Sequence, residues 1–242
     1  MRNWQKVLIP TAVTLAIGAI YLYSVFQHRK NPGVISEQSQ RQKLSADDLA
    51  VVRMKFMQHY EDTLNLVGTS VWMKNGYTMP YYPFSGGRVE FHRVGLIPPD
   101  QRLDIKKIVK ASPPAHEDDS MSHGAQQVFA VFSMPDDAKG DAKLYATPIG
   151  VMEGSGEGYF CDLLFYYDDP HTIYDWPKDV WAAIDAHQAK AGMNGLQART
   201  ALGQKVEIDG GSKGNRTVTY NANGKKWKVT FVHDRATAVQ SE

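Results

Sequence analysis

"AGMNGLQARTALGQ", residues 191–204, decides how the C-terminal part of this 242-residue chain is read. Gly192 can take the left-handed backbone that ends a helix and reverses the chain. Met193, unbranched and adaptable, suits the gap behind such a turn. Asn194 can cap a second short helix, and Leu202-Gly203 closes it. None of these side chains does chemistry. The stretch therefore specifies architecture: two clipped helices, then strands.

The flanks agree. Upstream, "KDVWAAIDAHQAKAG" (178–192) puts Val180, Ile184 and Gln188 on one helical face, with Trp181 and Ala183 beside it. Downstream, "KVEID", "RTVTYNA" and "KWKVTFVH" read as three strands, and Asn223-Gly224 signals a hairpin between the last two. Residues 176–242 thus form an α-α-β-β-β module.

This order, with Gly192-Met193, Gln197-Ala198 and Leu202-Gly203, resembles the BamE (SmpA/OmlA) family of small outer-membrane-assembly lipoproteins. The family pattern is roughly G-M-[ST]-x-x-[EQ]-V-x-x-x-[LM]-G-x-P. Tyr220 matches its strand aromatic, and Val229-Thr230-Phe231 its late hydrophobic-x-F strand. Asn194 departs from the usual Ser/Thr, Ala198 from the branched residue and Lys205 from the proline, and the lipid-bearing cysteine is absent. The resemblance covers about residues 178–240. It implies a fold and an accessory, protein-binding role, with other membrane or envelope proteins as partners.

The N-terminal segment supplies a location. "VLIPTAVTLAIGAIYLYSVF", from Val7 to Phe26, is uncharged and mostly apolar. As a helix it would span about 30 Å, matching a bilayer's hydrocarbon core. Tyr21 and Tyr23 fall at its far end, where aromatic side chains favour the interface. The expectation is a single-pass signal-anchor over 1–30 in contact with the lipid bilayer, then a linker over 31–44. The remainder would be periplasmic or otherwise extracytoplasmic.

Charge narrows the partners. Residues 1–43 carry net +5, which leaves −4 on the remainder of a chain whose total is +1. A mildly acidic body without a basic stripe argues against nucleic acid. The single cysteine, Cys161, excludes an internal disulfide framework and a Cys-rich zinc site.

Residues 45–175 read as a β-rich domain. Leu49, Val52, Phe56, Tyr60 and Leu64 recur at helical spacing, so one covering helix is expected over 45–67, stopped by Gly68. Asn75-Gly76 signals a hairpin, and "RVEFHRV", "RLDIKKIV", "QQVFAVFSM", "LYATPIGVM" and "YFCDLLFYY" continue as strands. The expected fold class is α+β: a transmembrane helix, an antiparallel small barrel or half-barrel with one covering helix, and the C-terminal module.

Two clusters could carry chemistry. His116, Glu117, Asp118, Asp119 and His123 are metal-capable, but they sit in a Pro/Ser/Gly-rich loop without rigid ligand spacing, which also reads as a solvated acidic loop. In "YYDDPHTIYDW" (166–176), Asp168, Asp169, His171 and Asp175 lie among Tyr166, Tyr167, Tyr174 and Trp176. A carboxylate–His set can bind metal or move protons. Tyr166, Tyr167, His171, Tyr174 and Trp176 can equally form a partner-binding surface, or pack as a domain junction around a turn. "EGSGEG" (153–158) lacks a P-loop lysine, no G-x-S-x-G elbow occurs, and no cofactor is indicated. The expected function is a membrane-anchored, non-enzymatic binding, accessory or scaffolding subunit. The alternative is a metal-binding protein or hydrolase using Asp168, Asp169 and His171.

Overall fold

The computed structural model describes residues 46–114, 125–135, 143–154, 156–212, 214–222 and 224–241, together with 16, 18, 19 and 21–26. The chain forms two compact units, Met1–Leu49 and Ala50–Glu242.

In the first unit, residues 21–26 are helical and Asp47–Leu49 form a 3-10 turn. The bilayer-spanning helix expected from Val7 to Phe26 is corrected here: no helix among the described residues is long and apolar enough to cross a membrane. The described run 21–26 rises about 9 Å, far short of the ~30 Å required, and most of the expected span lies outside the described residues. The single-pass anchor and the localisation drawn from it therefore conflict with the structure.

The second unit is mostly β, with two antiparallel sheets. The larger has nine strands among the described residues. They are β1 (Ser70–Met73), β2 (Met79–Ser85), β3 (Arg88–Val89), β4 (Gly95–Ile97), β5 (Arg102–Ala111), β6 (Gln126–Ser133), β7 (Tyr145–Glu153), β8 (Gly156–Tyr159) and β9 (Phe165–Tyr166). Their order is β3-β2-β7-β6-β5-β1-β9, with β4 paired to β2 and β8 to β7. Among the described residues the path is open, not a closed barrel. Strand β6 explains why "QQVFAVFSM" is almost continuously apolar. Val128, Ala130 and Phe132 enter one core cluster, while Phe129 and Val131, on the opposite face, enter another.

The α+β assignment fails further at the covering helix. The chain has no helix or strand over 50–58, and Phe56 there is left-handed (φ 50); only α1 (Tyr60–Thr63) and a 3-10 turn at Leu64–Leu66 follow. Carboxylates capture the backbone donors that a helix needs. Asp162 accepts from Lys55 N and Phe56 N, each at 2.8 Å, and Asp62 accepts from Gln58 N at 3.0 Å and His59 N at 2.9 Å. Nor is Asn75-Gly76 a hairpin. Strand β1 pairs with β5 and β9, and β2 pairs with β7, β3 and β4. Asn75 is buried and donates to Thr200 Oγ1 at 2.7 Å, tying the large sheet to the helices below. The run "YFCDLLFYY" likewise breaks into a turn of helix, α2 (Cys161–Leu164), before β9.

Three more helices follow: α3 (Pro170–Ile173), α4 (Lys178–Asp185) and α5 (Gly195–Leu202). Helix α4 stops at Asp185, well before Gly192, because His187 turns left-handed at φ 52. The second sheet has four strands, not three, in the order β10 (Lys205–Ser212), β11 (Asn215–Ala222), β12 (Lys225–Val232) and β13 (Arg235–Ser241). Strands β11 and β12 pair antiparallel up to Ala222 opposite Lys225. The added strand follows a turn built from His233 and Asp234, both left-handed (φ 50 and 59).

Around the Gly192 turn, Gly192 (φ +88) donates to Ala236 O at 2.8 Å, and Ala236 N returns to Met193 O at 2.8 Å. Met193 and Leu202 are buried with α4, α5, Tyr220 and Phe231 in one core. Asn194 accepts from Gln197 N at 2.9 Å while its own N–H donates to Gln197 Oε1 at 2.9 Å, a complete capping box. Gly203 (φ +85) ends α5 by donating to Arg199 O at 2.8 Å.

Candidate metal centre

Three groups converge at the seam of the second unit: Asp100, His171 and Asp185, with one donor atom from each within 4.8 Å of the others. They come from three elements. Asp100 sits between β4 and β5, after Pro98-Pro99, in a left-handed conformation (φ 62) that its N–H secures by donating to Met73 O at 2.9 Å. His171 is the second residue of α3, and Asp185 is the last of α4.

The imidazole is held on two sides. Asp169 caps α3 by accepting from the His171 backbone N–H at 2.9 Å, and the same oxygen lies 2.9 Å from His171 Nδ1. With Nδ1 donating to that carboxylate, Nε2 is left with its lone pair outward, as metal ligation needs. The ring stacks on Trp181 at 3.9 Å and 24°. Trp181 and Asp185 share a helix face four residues apart, so the face that seats the ring also carries Asp185 beside it. His171 Nε2 and Asp185 Oδ1 are 3.6 Å apart. Donor atoms around a tetrahedral zinc with bonds of about 2.0–2.2 Å lie about 3.4 Å apart.

The Asp100 carboxylate is the anomalous member. Its Oδ1 is buried without a hydrogen-bond partner. Its pKa is pushed up to about 7, chiefly by burial; His171 pulls it down, and the Asp185 and Asp169 carboxylates push it back up. A buried oxygen without a donor is costly unless a cation meets it. One imidazole and two carboxylates suit a divalent first-row ion such as zinc or manganese, with water completing the shell.

Of the residues named from sequence, His171 belongs to this centre and Asp169 positions it. Asp168 is drawn away into an ion pair with Arg53 at 3.1 Å, and Asp175 is exposed on the loop between α3 and α4. Tyr166, Tyr174 and Trp176 are buried in the core, and Tyr167 is half-buried with its hydroxyl donating to Asp162 at 2.9 Å. Trp181, Trp176, Tyr174 and Tyr166 form a column behind His171, with successive ring centroids 4.8, 4.6 and 6.2 Å apart. These aromatics pack together as a support behind the His171 ring. Asp100 and Asp185 were missed, since one lies some 70 residues from His171 in an ordinary turn motif and the other ends an ordinary amphipathic helix. The His116–His123 cluster lies outside the described residues.

Comparison with protein-family models, with curated proteins and with solved structures finds no match to this chain.

Proposed function

We propose that the protein binds a divalent transition-metal ion through Asp100, His171 and Asp185. The ion fastens the β4–β5 loop of the large sheet to α3 and α4, which share a core with the small sheet. The carrying observation is the buried, unpartnered Asp100 oxygen on a carboxylate that reaches His171 and Asp185. A ligand that binds only the folded chain stabilises it, by about 2.7 kcal/mol at a hundredfold excess over Kd. For a chain of this size that raises Tm by roughly 5–10 °C. The test is a thermal melt of chelator-treated protein with zinc or manganese added. A rise of that order, lost in Asp185→Asn, supports the reading; identical melts with and without either metal reject it.

A second reading, protein binding as an accessory subunit, has its own support. Strand β10 is the outer strand of the small sheet, and Val206 and Ile208 on it are 65% and 51% exposed. An apolar outer strand invites pairing with another chain. The resemblance of residues 178–240 to an assembly-factor family points the same way. Val206→Lys with Ile208→Lys should abolish co-purification of a native partner; unchanged co-purification counts against this edge.

A further inference from the structure

A second candidate site lies beside α5. A cavity of about 220 Å³ opens there, and Arg199, Lys205, Arg216, Tyr220 and Asp234 line it beside Gly195 at the start of the helix. Three cationic side chains face one carboxylate, so the lining is two charges positive. Arg216 is already committed: it pairs with Asp234, packs over the Phe231 ring at 4.8 Å and lies across Gly195, where a Cβ would meet it. Arg199 has its Nε buried and without a hydrogen-bond partner.

The buried, unpartnered Nε of Arg199 is the sign of a missing acceptor. Tyr220, whose side chain is 1% exposed, lines the same cavity. Tyr220 shares the cavity lining with the Arg199 and Arg216 guanidinium groups; burial raises its pKa to about 12, while Arg216 and Arg199 pull it down and Asp234 pushes it up. Its hydroxyl can donate to an anion held in the cavity by the two guanidinium groups.

We propose that this cavity binds a phosphate-class dianion, inorganic phosphate or a phosphate monoester, through Arg199, Lys205 and Arg216, with Tyr220 donating its hydroxyl. Charge selects the class, because a phosphate group carries about −1.5 to −2 at pH 7 and matches the two positive charges of the lining. The cationic groups come from three elements, α5, β10 and β11. The first turn of α5 adds its partial positive charge, and its Gly195 lets the anion and Arg216 approach the backbone closely.

The test is calorimetric titration of the full chain, in the presence of a chelator so that the metal centre stays silent. Probes are inorganic phosphate, glycerol 3-phosphate and, as a monoanion control, acetate. One site per chain is expected for at least one phosphate probe, with acetate at least tenfold weaker; the tighter probe identifies the source of the anion. Tyr220→Phe keeps the ring and removes the donor, and should weaken phosphate about tenfold or more. Lys205→Gln, at an exposed strand position, should weaken it as well. The proposal is overturned if neither phosphate probe saturates, if acetate binds as tightly, or if Tyr220→Phe and Lys205→Gln leave the affinity unchanged. Thermal melts of both variants confirm that they are folded, so that a loss reads on the site.

Discussion

A single oxygen of Asp169 receives both the backbone N–H and the imidazole Nδ1 of His171, each at 2.9 Å. The helix cap and the orientation of the metal-facing ring are thus one contact. Asp169→Asn keeps an acceptor for the cap but removes the charge behind the ring. It should lower zinc affinity about 10–100-fold, as losses of such supporting carboxylates do. Asp169→Ala should add about 1 kcal/mol of lost folding stability from the cap. Zinc titration and urea unfolding of the two variants separate the effects.

Asp100 gives a pH dependence of unusual sign. Its pKa is about 7 in the folded chain against an ordinary value of 3.8. Between these limits the folded chain holds a proton that the unfolded chain has released. Stability from this group is therefore present at low pH and lost as pH rises through about 7. In chelator, Asp100→Asn should raise the urea midpoint at about pH 8, and the gain should vanish towards about pH 4. With zinc present at pH 8 the order should reverse, because the variant cannot bind the ion.

The Gly192 turn predicts a division between packing and capping. Met193 is fully buried, and Met193→Ala should cost about 2–5 kcal/mol. Asn194→Ala removes only a cap and should cost about 1 kcal/mol. Urea denaturation of both variants checks the ranking; equal costs would mean that Met193 does not fill the gap between helices and sheet.

Cys161 is buried, with its thiol pushed up to about 12, mainly by burial and then by the Asp162 charge. The native chain should resist a thiol reagent at pH 8 and react fully once unfolded in urea. Fast native labelling would mean that α2 opens away from the sheet.

Where the cues are local, sequence and structure coincide. Gly192, Asn194 and Gly203 announce turns and a cap whose geometry depends on a few neighbouring residues. The β6 run reads directly as a strand. What escaped depends on distant partners. The helix expected over 45–67 has a helical apolar spacing, yet Asp162, about a hundred residues away, takes the N–H groups of Lys55 and Phe56. Strand β13 was missed because His233-Asp234 forms its left-handed turn where Asn-Gly is the readable signal. At the metal centre, His171 and Asp169 are adjacent in sequence and could be read together. Asp100 and Asp185 reach the ring only through the docking of the β4–β5 loop and α4.

The central claim is that Asp100, His171 and Asp185 hold one metal ion, and metal stoichiometry tests it most directly. Chelator-treated protein is equilibrated with excess zinc, separated from free metal by gel filtration and analysed for zinc per chain. One zinc per chain for the native sequence is expected, falling to background in His171→Ala with Asp185→Asn, while a control substitution at the exposed Asp175 retains it. Background zinc in the native protein, or undiminished zinc in the double variant, would contradict the account.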